Sequence, residues 1–485
     1  MPLPLFPLGQ VLTAAAVTAL LAVPAPALAK KAEKTAKTEK AAKTEKADKA
    51  EKAHKARARE PAPAIKKVQR KPAAKPAPLH DGEAERRLLE ISRLTAQGRA
   101  REALPLAERL VRDHPNFQLA QLALGDLLAA RARPLGRVGD IVPAPAVAMP
   151  TPAPITGLTF ATAVAAPAPA PRPISLPSTL PPSASEALTS LRSELRLRLD
   201  STKAPPPQGS IPAQFLELSA RTRHAIAMDA SRSRLYLFEN TDKGLVLVAD
   251  YYASVGKLGT EKLVEGDQRT PLGVYYITSR LDPATLKDFY GAGALPINYP
   301  NPLDQSRGKT GSGIWLHGTP PDQFSRAPQA SDGCLVLANP DLERILKTVE
   351  PRTTPVVIAR QLQWVKPQAL QGERQSFQAV LDAWSKAKSH GDMQRLMSFY
   401  APEFQGLRNV GLEQWTQVMQ AETKALRGRG VVLKDKSVLH WTDSSDTMVV
   451  TFGELAEGAR TGSIKRQYWT RKGAHWQIFF EGVIG

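Results

Sequence analysis

Cysteine is nearly absent: the 485-residue chain holds one, Cys334. A single cysteine excludes an internal disulfide framework. No HExxH motif and no cysteine pair at ligand spacing occurs, so the sequence calls for no metal and no cofactor. The apolar run at residues 12–23, broken only by threonine, falls short of the roughly 20 residues a spanning helix needs. Acidic residues are in deficit, 46 against 65 Lys and Arg, for a formal charge of +19.

Proline, by contrast, is abundant, with 42 residues, and a share that high implies long unfolded connectors. A chain of this length exceeds one core, so several domains are expected. Residues 1–29 read as a secretory signal peptide: the apolar run is followed by Ala27-Leu28-Ala29, an A-x-A cleavage site, before Lys30. The segment before the run lacks Lys and Arg, which leaves an uncleaved N-terminal anchor as the alternative. Cleavage near Ala29 would place the mature chain in the periplasm or cell envelope.

Residues 30–82 form a Lys/Ala-rich tail without an apolar stripe to bury. Between 30 and 78, 17 Lys and Arg face 6 Asp and Glu, a net of +11. The basic excess therefore belongs to the tail rather than to a groove on a folded domain. Nucleic acid is the usual partner of such a tail, but an exported chain rarely meets it. Contact with anionic envelope polymers or a membrane surface is expected instead, with a solvated spacer as the alternative.

Residues 83–131 are helical. Leu88, Leu89, Ile91 and Leu94 lie at helical spacing, Gly98 interrupts, and Ala103, Leu104, Ala107 and Leu110 resume the pattern. Pro115-Asn116 ends the second helix, and Leu119, Leu122, Ala123 and Leu127 begin a third. This segment resembles one tetratricopeptide repeat plus a helix. One repeat cannot bury its own face, so it is expected to pack on something else, such as a protein partner, or on a second copy, with a plain helical hairpin as the alternative. A Pro/Ala-rich spacer follows at 132–182, then an amphipathic helix at 183–202 with Leu188, Leu191, Leu195 and Leu199 near one stripe.

Period-two runs at 224–229, 234–238 and 245–249 read as strands, as do 273–278, 313–317 and 354–359. Within this block His317-Gly318 ends an apolar run, and Ser331-Asp332-Gly333-Cys334 precedes another. A thiol needs a nearby imidazole to become a nucleophile at neutral pH. A strand end and a turn bring such a pair together at a cleft mouth.

This arrangement resembles the L,D-transpeptidase (YkuD-type) catalytic domain, in which His-Gly is followed by Ser/Thr-His-Gly-Cys, then Arg and Asn. His317, Gly318, Ser331, Gly333, Cys334 and Asn339 match in order, while Asp332 replaces the second His and Val336 the usual Arg. Thr270-Pro271-Leu272-Gly273-Val274-Tyr275 and the segment 295–301, which holds Tyr299, extend the likeness across roughly 221–361. The resemblance implies a mostly β catalytic domain. It also implies Cys334 as nucleophile, His317 as general base and acid, and the Gly318 carbonyl as its orienter. Backbone N–H groups at Asp332, Gly333 and Cys334 would form the oxyanion hole, and Ser331, Asn339, Thr270 and Tyr299 would contact substrate. The implied substrate is a peptidoglycan stem peptide, with acyl transfer to an amine. The alternatives are an L,D-carboxypeptidase or amidase, and a catalytically degenerate envelope scaffold. A carboxylate at Asp332 would oppose thiolate formation unless paired, for instance with Arg326 or Arg269.

Residues 371–485 change pattern again. Phe377, Val380, Leu381, Trp384, Leu396, Met397, Phe399 and Tyr400 suggest two helices around residues 389–392, with a third near 412–426. Strands follow at 431–439, 447–455, 465–470 and 476–481. Helices followed by a curled sheet, with Trp441, Trp469 and Trp476 inside or at the mouth, resemble the NTF2-like cone. His440 and Asp446 read there as a strand-end histidine and a turn aspartate, so no acid–base pair demands catalysis. The fold class expected is thus multidomain α+β: a catalytic β domain, a C-terminal α+β cone, a short TPR-like segment and long disordered linkers.

Overall fold

The structure is a computed structural model that describes residues 82–130, 138, 184–442 and 446–484. The segments read as a signal peptide, as the Lys/Ala-rich tail (Gly82 apart) and, Val138 apart, as the Pro/Ala-rich spacer lie outside the described residues. The chain divides into two units, Met1–Lys75 and Pro76–Gly485, and every described residue belongs to the second.

Three helices come first: α1 (Glu83–Ala96), α2 (Ala100–Asp113) and α3 (Gln118–Ala129). Their periodic apolar residues meet in one core, where Leu88, Ile91, Ala103, Ala107, Leu110 and Ala123 are fully buried. The alanines let the helices approach closely. Helix α4 (Ala184–Lys203) lays Leu191, Leu195 and Leu199 against the same core, which Phe324 and Ala338 of the next domain complete. The docking is also ionic. Arg198 of α4 bonds Glu194 at 2.7 Å and Glu85 of α1 at 2.8 Å, all three buried, and Glu85 also receives Arg234 of the next domain at 2.8 Å. Removing one member of such a group strands a buried charge, at about 3–5 kcal/mol.

The next block carries β1 (Ile211–Pro212), β2 (Phe215–Glu217), β3 (His224–Asp229), β4 (Arg234–Thr241), β5 (Gly244–Gly256), β6 (Gly273–Tyr276) and β7 (Ala294–Pro296). It continues through α5 (Pro302–Ser306), β8 (Trp315–His317), β9 (Gln329–Ser331), β10 (Leu335–Leu337), α6 (Asn339–Thr348) and β11 (Pro355–Ala359). Nine strands form one mixed sheet in the order β6-β11-β3-β4-β5-β10-β8-β7, with β9 also on β5. Both faces are buried, as the two-residue period dictates. Ile226 and Met228 point into one core with Leu316, Leu335 and Leu342, whereas Ala225 and Ala227 point the other way with Tyr236 and Phe238.

That second face is covered by the C-terminal domain: β12 (Trp364–Val365), α7 (Gln371–His390), α8 (Met393–Ser398), β13 (Tyr400–Gly406), α9 (Leu412–Leu426), β14 (Val431–Trp441), β15 (Thr447–Ala456), β16 (Ser463–Lys472) and β17 (His475–Val483). Leu439, Trp441, Val449 and Tyr468 of its sheet share the core with Tyr236, Tyr276 and Val357. The sheet order is β13-β17-β16-β15-β14-β2, so β2, which precedes the catalytic block, pairs at the far edge with β14, while β1 pairs with β12. The other face packs α7 and α9 through Phe377, Trp384, Met419 and Trp469. One element differs from the sequence pattern: the helix read through Phe399 and Tyr400 ends at Ser398, and Tyr400 opens β13. The Tyr400 hydroxyl donates to buried Glu481 at 2.9 Å, a partner 81 residues away that local periodicity does not encode. His440 lies at the end of β14 between Asp446 (2.6 Å) and Glu373 (3.0 Å).

Candidate active site

Strands β8 and β10 run parallel, with Leu335 opposite Leu316 and Val336 opposite His317. Leu316, Leu335 and Leu337 point into the core. Alternation therefore turns Trp315, His317 and Val336 to the opposite face, and Cys334, just before β10, joins them. The turn into Cys334 requires glycine. Gly333 has φ +125°, and a Cβ there would stand 2.7 Å from the Arg269 carbonyl oxygen.

Cys334 is half-buried. Its Sγ accepts from the Trp315 N–H and donates to the Gly313 carbonyl, both at 3.4 Å. His317 is 1% exposed, packed between Phe289 (5.7 Å) and Tyr290 (5.1 Å). Its Nδ1 stands 2.7 Å from the Gly318 carbonyl oxygen. A carbonyl only accepts, so the proton sits on Nδ1 and Nε2 presents its lone pair. Thiol and imidazole share a face, and among the described residues no hydrogen bond joins them.

Both groups are neutral at rest. Burial pushes His317 down to about 4, assisted by the Arg326 charge and opposed by the Gly318 carbonyl. Burial pushes the Cys334 thiol up to about 11; Asp332 adds to this, while the Trp315 N–H, Arg326 and Lys262 oppose it. A resting thiolate–imidazolium pair is therefore disfavoured, and Sγ would have to lose its proton as any attack proceeds.

The remaining sequence candidates divide by what they touch. Ser331, buried, donates to the Cys334 carbonyl at 2.6 Å and accepts from the Gly333 N–H at 3.1 Å. Thr270, also buried, donates to the Gly333 carbonyl and accepts from the Gly256 N–H, each at 2.9 Å. The two hydroxyls brace the Cys334 turn from either side. Asn339 Oδ1 accepts from Ala292 (2.9 Å) and Thr319 (3.2 Å), and its Nδ2 donates to the Thr319 carbonyl at 2.9 Å. A Cβ on Gly318 would fall 2.0 Å from that Oδ1, so only glycine fits beside the base. Tyr299 is buried in the catalytic core and donates to the Thr310 carbonyl at 3.2 Å. Asp332 is exposed; Lys257 (3.0 Å) and Gln268 (3.3 Å) bond it directly, and the Arg326 charge also acts on it without a hydrogen bond. Arg269 is turned away, donating to the Thr260 carbonyl at 3.0 Å.

Sequence reading missed Phe289 and Tyr290, which pack on the imidazole, and Trp315, which packs on Tyr290 at 4.8 Å. The first two lie in the loop before β7, where no periodicity marks them. Among the described residues no three His, Cys, Asp or Glu side chains converge as metal ligands.

Residues 223–358 match the family model of the L,D-transpeptidase catalytic domain (YkuD), and residues 376–482 that of the Cds6 C-terminal NTF2-like domain. No curated protein matches the chain. Among solved structures, Bd1075 of Bdellovibrio bacteriovorus is similar at 24% identity and a TM-score of 0.49, over 56% of this chain and 98% of that one. The helical cell shape determining protein Pgp2 of Campylobacter jejuni is similar at 21% identity and a TM-score of 0.46, over 60% of this chain and 100% of that one. With the strand order and the Cys334–His317 face in place, the chain carries an L,D-transpeptidase catalytic domain followed by an NTF2-like domain.

Proposed function

We propose that the chain is an exported peptidoglycan L,D-transpeptidase in which Cys334 is the nucleophile and His317 the general base and acid. The observation that carries this reading is the shared face of β8 and β10. Cys334, just before β10, and His317, at the end of β8, lie on this face, and the His317 Nδ1 is tied to Gly318 O at 2.7 Å. Nε2 takes the Sγ proton as sulfur attacks the carbonyl carbon between the L-centre of the stem's third residue and the terminal D-alanine. The carbon–nitrogen bond breaks, and Nε2 returns the proton to the leaving D-alanine amine, leaving a thioester. An acceptor amine then attacks the thioester, its proton passes through Nε2 to the departing sulfur, and the cross-link is complete.

The N–H groups of Asp332 and Cys334 stabilise the oxyanion in this scheme. That of Gly333 is engaged by Ser331 Oγ at 3.1 Å. Ser331 and Thr270 act as positioning residues by fixing the turn, and Asn339 fixes the strand exit beside the base. Residues 1–29 direct export, and the domain acts in the cell envelope.

The test compares the full chain with its Cys334→Ala variant on isolated peptidoglycan, with digested muropeptides weighed by mass spectrometry. New cross-links between two third-position residues, or exchange of the terminal D-alanine, should appear with Cys334 only. Tripeptides without new links would assign water as the acceptor and a carboxypeptidase. Identical profiles for both proteins would remove the enzymatic reading and leave an envelope scaffold.

A further inference from the structure

The strand position next to the nucleophile offers no cation: Val336 is 2% exposed and directly opposite His317. A cation reaches the site from elsewhere. Arg326, in the loop between β8 and β9, stacks over the Phe289 ring at 4.5 Å, and Phe289 in turn packs on His317. The Arg326 charge acts on His317 and on Cys334, lowering the proton affinity of both.

Its own surroundings are unusual. The side chain is half-buried; Asp332 and Cys334 act on its charge, but among the described residues no acceptor takes a hydrogen bond from its guanidinium. A guanidinium stacked on a ring keeps its in-plane N–H donors free. A half-buried fork of free donors beside the reacting groups is a receptor for a planar anion.

The loop is held by the rest of the molecule. Phe324 packs on Phe117 at 4.2 Å and His114 at 5.2 Å, and Ser325 Oγ donates to Glu194 of α4 at 2.7 Å. The Arg326 carbonyl accepts from the Tyr252 hydroxyl at 2.8 Å, and that of Ala327 accepts from Ser254 Oγ at 2.6 Å. Helices α3 and α4 also wall the cleft of about 470 Å³ that Arg326, Lys257 and Asp332 line. The guanidinium is thus preorganised on two sides, by the catalytic sheet and by the N-terminal helices.

We infer that Arg326 is a specificity residue that binds the free α-carboxylate of the donor's terminal D-amino acid, across a cleft completed by α3 and α4. The inference rests on the proposed reaction. Its geometry follows from the leaving group. The amine that receives its proton from His317 Nε2 is bonded to the carbon that bears the terminal carboxylate. A group that recognises this carboxylate must therefore stand near the imidazole, and Arg326 is the cation placed there through Phe289.

The test measures binding apart from turnover. Full-length Cys334→Ala protein, with Arg326 intact or replaced by Gln or Lys, is titrated by calorimetry with two tetrapeptide stems. One ends in a free D-alanine carboxylate and the other in the D-alanine amide. A charge-assisted fork contributes roughly ten- to a hundredfold in affinity. The acid should bind tighter than the amide by that factor, and Arg326→Gln should abolish the preference while leaving amide affinity and melting temperature unchanged. Lys should restore part of it. Equal affinities for acid and amide, or a preference that survives Arg326→Gln, would overturn the inference whether or not the enzyme turns over. A preference that depends on Arg326 in a chain whose native form yields no product would uphold the binding role and refute the proposed reaction instead.

Discussion

Thr270→Val replaces a hydroxyl by a methyl at almost constant volume, in a site with no exposed surface. The hydroxyl makes two bonds of 2.9 Å, one from the Gly256 N–H and one to the Gly333 carbonyl. Valine leaves both backbone groups buried and unsatisfied, and each costs about 1–3 kcal/mol. The total is then ~2–6 kcal/mol, imposed on the turn that presents Cys334. The turn can relieve part of this by opening locally rather than by unfolding the domain. Amide exchange read by mass spectrometry at Gly256 should therefore accelerate at least tenfold, with kcat falling by a similar factor and only a modest drop in melting temperature. Thr270→Ser, which retains the hydroxyl, should recover most of both. Unchanged exchange at Gly256 together with unchanged turnover in Thr270→Val would refute the bracing role.

Two further outcomes follow from burial. Because His317 is pushed down to about 4 and Cys334 up to about 11, kcat/KM should be flat from about pH 5 to about pH 10. Alkylation of the lone cysteine by iodoacetamide should still be climbing at about pH 9.5; a bell centred near neutrality would indicate a preformed ion pair. Asp341, at the start of α6, is raised to about 6 by burial and by Glu85, against the bond from the Gly82 N–H. Its folded value lies above the unfolded one, so the fold is destabilised by the ionised form above pH 6 and relieved as pH falls through it to about 4. Asp341→Asn can still accept from Gly82. It should raise stability by up to about 3 kcal/mol at pH 7.5 in denaturant titrations, with the gain gone below about pH 3.8; a loss at pH 7.5 would refute the assignment.

Local pattern carried the catalytic block a long way. The alternation of Ala225, Ile226, Ala227 and Met228 marks a strand with two buried faces, and the His317-Gly318 and Gly333-Cys334 pairs mark the site. The strand and Gly333 signals are local because side-chain direction alternates along a strand and because a turn needs glycine where φ is positive; Gly318 is instead required by Asn339 Oδ1, brought against it by the fold. The helices at 371–390 and 412–426 were legible from their own helical period, and the strands after them from alternation.

Tertiary structure alone decided the rest. The sequence names a thiol and an imidazole, but burial in the folded chain keeps both neutral, the imidazole packed between Phe289 and Tyr290. It also suggests an arginine partner for Asp332; the fold leaves Arg326 as a nearby charge and supplies the direct bond from Lys257, 75 residues away. Whether the helices at 83–129 stand alone was undetermined, because their remaining cover comes from α4, Phe324 and Ala338. The same long-range packing turns Tyr400 into a strand residue, pairs β2 with a domain that begins after the catalytic block, and sets Arg326 over the cleft. Composition and spacing fix which groups are available for chemistry; charge state, partner and reach depend on distances that only the folded chain sets.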